Sequence, residues 1–227
     1  MKLFAGIACV CSLLAGGEKL SRPEPFLTAG NKIVYTFYDH RSGDVNIWNH
    51  TLFIRNVSTE GNRTSVNAIL ALVENGKSDT KWSQRFACDS LNFYAYATNW
   101  CYVMVDEEGV RSVASGDTLV YPLNMKVGDT LPGATATEKE DWHSVISHAQ
   151  MDFMHRKVEA LDTLEIPGRK ITVFRIISDV RVTSIHTSGK SKEVHKATEW
   201  FSPVYGIVKR KYEFASGGYT ITTMEVQ

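Results

Sequence analysis

The stretch Thr198–Val226, TEWFSPVYGIVKRKYEFASGGYTITTMEV, decides the fold class. It opens on the aromatic pair Trp200-Phe201, turns through Pro203 and Gly206, and continues as an extended segment. Gly217-Gly218 then reverses the chain into a closing segment rich in Thr and Ile. Glycine and proline between β-branched and aromatic runs are hairpin chemistry. A β-rich chain needs such a hairpin to cover its last edge.

The same alternation of run and turn extends upstream. Ile33–Tyr38 ends at the turn-forming cluster Asp39–Asp44. Val45–Val57 resumes, with Trp48, Leu52 and Ile54 spaced to share one face. Ser58–Arg63 is a polar turn, and Asn75-Gly76, a strong hairpin signal, separates Thr64–Val73 from Lys81–Cys88. Leu91–Val105 is an aromatic run closed by the acidic turn Asp106–Gly109. Ser112–Asp117 is small and polar, Leu119–Leu123 is apolar, and Val127–Gly133 reads as a loop. Val145–Leu161 fits a helical period in part, but no convincing cap precedes it and strands are the preferred reading. Lys170–Ile185 is the clearest strand of all, and His186–His195 follows as a Gly/Ser/Lys loop. The expected fold is all-β: a single antiparallel β-barrel or half-open barrel of about ten strands, with at most one short helix.

Composition narrows the function classes. A hydrophobic fraction of 43% and a charged fraction of 22% belong to a globular protein. Lys+Arg and Asp+Glu both number 25, so there is no basic footprint for nucleic acid. Met1-Lys2, the apolar run Leu3–Leu14 and Ala15-Gly16-Gly17 have the shape of a signal peptide. The expected organisation is therefore a signal peptide over 1–17 and one barrel-like domain over 18–227, periplasmic or extracellular. A buried N-terminal helix or strand is the alternative. The apolar run is too short to span a bilayer, which takes roughly 20 residues, and no later segment is long enough. Cys9 and Cys11 fall inside the run in contexts that fit lipidation poorly. Cys88 and Cys101 remain, either as a disulfide or as two buried thiols.

Reactive constellations are scarce. There is no Gly-x-Ser-x-Gly elbow, and Gly-rich phosphate loops are lacking too. His143, His148 and His155 lack the spacing of a helical metal pair, and the odd separation of His148 and His155 sends them to opposite strand faces. No catalytic, cofactor or metal residue is named. A hydrolase would have to assemble its site from separate strands, with Glu140, Asp141 and His143 as the example. The remaining signal is aromatic: Trp48, Trp82, Tyr94, Trp100, Tyr121 and Trp200. These either fill the inside of the sheet or line a cavity for an apolar ligand. The partner is then an apolar ligand or another envelope protein.

Several of these segments together resemble a known group. Cys88 after an alternating strand, Tyr121-Pro122-Leu123 before Val127-Gly128-Asp129-Thr130-Leu131, and Arg156-Lys157-Val158 come in that order. Ile166-Pro167-Gly168 follows, and then Trp200-Phe201 with Gly206-Ile207-Val208-Lys209. In this order they resemble the TapB-like exported proteins of Bacteroides-type bacteria, over Gly30 to Glu225. The group's usual Pro-Ala-Gly is shortened here to Pro167-Gly168. The resemblance implies a β-rich, barrel-like envelope protein with no known catalysis. A more distant likeness, of architecture only, is to the half-open barrels of LolA/LolB-type lipoprotein carriers.

Overall fold

The structure is a computed structural model that describes residues 22–40, 45–74, 77–100, 111–142, 145–166, 169–186 and 189–225. The expected leader 1–17, with Cys9 and Cys11, lies outside these residues, as do Cys101 and His143. Among the described residues one short helix, α1 (Glu24–Leu27), precedes 13 strands. These are β1 (Lys32–Asp39), β2 (Asn46–Glu60), β3 (Arg63–Glu74), β4 (Lys77–Cys88), β5 (Asn92–Tyr96), β6 (Arg111–Gly116) and β7 (Thr118–Pro122). After them come β8 (Ala134–Trp142), β9 (Val145–Ile166), β10 (Arg169–His186), β11 (Gly189–Ser202), β12 (Gly206–Glu213) and β13 (Tyr219–Glu225). All form one antiparallel sheet in the order β6-β8-β9-β10-β11-β12-β13-β1-β2-β3-β4-β5-β7.

The all-β expectation holds, with 13 strands in place of about ten. Leu91–Val105 is not one strand: β5 ends at Tyr96 and a 3-10 turn, Ala97–Trp100, follows. The polar segment around Ser112–Asp117 is a strand, β6, because backbone pairing with β8 does not require apolar side chains. Glu138 lies on β8. Val145–Leu161 belongs to the single strand β9, and the one α-helix among the described residues lies elsewhere. The expected loop His186–His195 is mostly β11, paired from Gly189 onward with β10.

The sheet closes nearly into a barrel through one residue. Its two end strands, β6 and β7, are consecutive in sequence and joined by Asp117 alone. Gly116 still pairs with Ala136 of β8, while Thr118 already pairs with Tyr96 of β5. At the switch, the Asp117 N–H donates to Thr135 O (2.8 Å) and its carbonyl accepts from the Ala97 N–H (2.9 Å). One chain segment thus serves both edges of the sheet, leaving little unpaired backbone.

Two further devices complete the wall. Beyond β5, the edge of β4 is covered by a side chain: Asn99 accepts from the Arg85 N–H (2.9 Å) and donates to the Arg85 carbonyl (2.8 Å). In β9 the register with β10 slips across His155-Arg156, and His155 takes φ +51°. This bulge reverses the alternation. His155 joins His148 on the outer face, so the expectation that the two face opposite ways fails by one inserted residue. His155 bonds to Asp179 (2.9 Å), and Arg156 is turned into the barrel.

Candidate functional site

The barrel is solid at one end and hollow at the other. Toward the end holding α1, Phe26, Phe86, Phe93, Tyr121 and Phe201 form one continuous ring cluster with centroids 4.9–6.0 Å apart. Phe26 is fully buried and acts as the plug. It sits so close to Gly206 (φ +71°) that a β-carbon there would come within 2.6 Å of its ring. Toward the opposite end, where β2 begins and β10 turns into β11, lies a cavity of about 530 Å³. That volume is within the usual range of small-molecule pockets.

Period-2 alternation supplies the lining. Trp48, His50 and Leu52 point inward from β2, Leu70 from β3, and Trp82 and Gln84 from β4. Ala149, Met151, Val182, His195, Arg210 and Tyr212 come from the opposite wall. The 3-10 turn carries Trp100 in between, its ring 5.6 Å from Phe153 and 5.9 Å from Tyr212. His50 packs its ring against Phe37 and Trp82. Burial holds it neutral, with its pKa lowered to about 4. Burial lowers His195 as well, against the pull of Glu193. Burial also raises the Tyr35 hydroxyl, although the nearby Arg210 charge acts the other way.

Between cavity and aromatic plug sits a buried charged group. The Tyr121 hydroxyl donates to Glu199 Oε1 at 2.7 Å. Arg156 Nη2 lies 3.7 Å from Glu199 Oε2, and Arg210 Nε lies 3.6 Å from Oε1. Arg156 also donates to the carbonyls of Pro132 (3.0 Å) and Val120 (3.3 Å), and its guanidinium covers the Tyr121 ring at 4.9 Å. Burial and the Glu199 charge push the Tyr121 hydroxyl far up, so it is a donor at every physiological pH. The group needs the β9 bulge: without the inserted residue Arg156 would face solvent.

A family model described as DUF3108-like matches residues 28–217. The chain belongs to the DUF3108-like family. Two solved structures share the architecture of this DUF3108-like barrel. One is a Bacteroides fragilis protein predicted to be exported, with a YmcC-like fold: 14% identity, TM-score 0.66, covering 87% of this chain and 95% of that one. The other is a predicted lipoprotein of Parabacteroides distasonis: 14% identity, TM-score 0.69, covering 91% and 96%. At such identity the likeness is one of fold. No curated protein matches the sequence.

Of the six aromatic residues singled out from the sequence, Trp48, Trp82 and Trp100 line the cavity. Tyr121 belongs to the plug and the charged group. Tyr94 lies apart, donating to Asp89 (2.7 Å) beneath the Arg63 guanidinium. Trp200 turns away from the cavity as well: its indole N–H donates to Asp162 (2.8 Å) and Lys209 covers its ring. Cys88 is a free, buried thiol that donates to its neighbour's carbonyl, Asp89 O (3.3 Å), so of the two alternatives for Cys88 and Cys101 the buried thiol holds at Cys88, while Cys101 lies outside the described residues. Of Glu140, Asp141 and His143, only the β8 backbone of the first two is described. Among the described residues no three His, Cys, Asp or Glu converge to hold a metal, and no helix is long and apolar enough to cross a membrane.

Sequence reasoning missed Arg156, Glu199 and Arg210. The signal for Glu199 was present: it shares a strand face with Ala197 and Phe201, both fully buried. A carboxylate in phase with core residues calls for an internal cation.

Proposed function

We propose that this protein is an exported envelope protein that holds an apolar ligand in the open half of its barrel and performs no chemistry on it. The observation that carries the reading is the cavity of about 530 Å³, walled by Trp48, Leu52, Leu70, Trp82, Trp100 and Met151. A structural protein of this size fills such space with side chains. A hollow, aromatic-lined barrel half suits a ligand instead.

Export follows from the signal-peptide shape of residues 1–17, which leaves 18–227 as the mature protein, and the two similar structures, predicted to be exported or lipid-anchored, agree with it. The outer face of β9–β11 carries charge pairs, Arg175 with Glu159 and Asp162, and Lys196 with Asp179. Such a surface suits water, whereas a membrane barrel turns an apolar band outward. An acyl chain is the occupant this lining fits best, which makes a lipid or lipoprotein carrier the finer form of the proposal.

The test is titration of the purified mature protein with the neutral fluorescent probe N-phenyl-1-naphthylamine. We expect saturable enhancement of fluorescence, abolished by Ala149→Trp, which fills the cavity. No enhancement, or equal enhancement in a folded Ala149→Trp variant, defeats the proposal.

A further inference from the structure

The charged side chains among the described residues lining the cavity are cations. Among the described residues no Asp or Glu side chain lines it, whereas Arg210 and Lys209 do. Lys209 places its ammonium over the Trp200 ring, at 4.8 Å, and Trp200 lines no part of the cavity. Arg210 is therefore the cation that serves the interior. The other titratable groups facing the same space, Tyr35, His50, His195 and Tyr212, bring no negative charge at neutral pH.

Glu199 does not cancel this charge. Its single carboxylate is shared by Arg156 and Arg210, at 3.7 and 3.6 Å. Both distances lie beyond hydrogen-bonding range. Among the described residues two guanidiniums against one carboxylate leave one positive charge in excess, and a guanidinium cannot shed its proton to escape burial. Arg210 Nε is buried without a hydrogen-bond partner, and so is Trp100 Nε1. The two side chains are stacked, the guanidinium 4.5 Å from the indole ring. A purely structural ion pair would match one cation to one anion and satisfy its donors. Here a surplus cation and two adjacent donors border an apolar cavity.

Resting on the ligand-binding reading above, we propose that the occupant is an anionic amphiphile, its acidic head held by Arg210 and its chain lying in the apolar cavity. A carboxylate or a phosphate monoester presents the paired oxygens that a guanidinium fork binds in bidentate fashion. The tail lies among Trp48, Leu70, Trp82 and Met151.

The experiment is displacement of N-phenyl-1-naphthylamine from the mature protein at pH 7.4 by dodecanoate, dodecyl phosphate and methyl dodecanoate. Chain length is constant and all concentrations stay below micelle formation. At least one of the two anions should displace the probe at a concentration about tenfold or more below the ester, the gain expected for one charge-assisted contact. The more effective anion identifies the head group. In Arg210→Gln the anion-to-ester ratio should fall to near one, while Arg210→Lys should keep part of the preference. If the ester matches both anions on the wild-type protein, the anionic head is wrong although the apolar cavity stands. If the probe itself does not bind, both proposals fall. The wild-type comparison needs no variant, so it decides even if Arg210→Gln fails to fold.

Discussion

Arg156 and Glu199 face each other 3.7 Å apart with side-chain exposures of 0% and 2%. They sit at the boundary between the solid and hollow halves of the barrel. Arg156→Ala would strand the Val120 and Pro132 carbonyls together with the Glu199 carboxylate. Removing one partner of a buried pair costs about 3–5 kcal/mol. A urea titration should show a lower midpoint by that amount. Glu199→Gln should also destabilise, and Arg156→Ala combined with Glu199→Gln should lose less than the sum of the two single changes, by about 1 kcal/mol or more. Strict additivity would mean that the two side chains do not interact.

Gly206 and Gly30 both take positive φ, +71° and +88°, but only at Gly206 would a β-carbon meet Phe26 at 2.6 Å. Gly30→Ala should therefore cost only the backbone strain, about 1 kcal/mol. Gly206→Ala adds steric overlap against the plug, for a total of about 3 kcal/mol. Thermal unfolding of the two variants side by side measures the difference. Phe26→Leu in the Gly206→Ala background should recover part of it.

Asn99 serves the edge of β4 as a substitute strand, one donor and one acceptor against Arg85. Asn99→Asp keeps the acceptor and replaces the donor by a second oxygen facing a carbonyl. The expected loss is about 2 kcal/mol, against about 1–3 for Asn99→Ala. Amide exchange at Arg85 separates the two: it should remain protected in the Asp variant and accelerate in the Ala variant.

Acid should weaken the fold through His50. Its folded pKa lies near 4, below the ordinary value of 6.5, because burial opposes its charge. Between these values the unfolded chain binds a proton that the folded chain does not, so stability rises with pH across this window. The contribution is full above pH 6.5 and is lost as pH falls toward 4, amounting to about 3 kcal/mol. His50→Phe, which preserves the stacking on Phe37 and Trp82, should flatten the stability–pH curve over this interval. An unchanged slope would place the acid sensitivity at another group, His195 first.

The strand content and the closing hairpin were legible in the sequence because alternation and Gly/Pro punctuation are local signals. Trp48, Leu52 and Ile54 shared a face as their spacing required, and Gly217-Gly218 turned the last hairpin. Wall features that depend on distant backbone were not legible. No local pattern announces that β6, short and polar, will pair with β8, or that Asp117 will join both edges. The bulge at His155 was equally hidden, and with it the inward turn of Arg156. The aromatic list predicted an apolar interior but could not separate Trp48, Trp82 and Trp100, which face the cavity, from Trp200, which faces away. That distinction depends on the register of the long strands, and a one-residue slip changes it.

The pairing of β1 with β13, Val34 opposite Glu225, joins the beginning of the barrel to its end. Until Tyr219–Glu225 is in place, β1 and β12 each lack a neighbour and the sheet remains an open ribbon. Closure therefore depends on contacts between residues far apart in sequence, the kind that slows folding. The cavity, lined by Tyr35 and Phe37 of β1 and by Thr220 and Thr222 of β13, is complete only when that pair has formed.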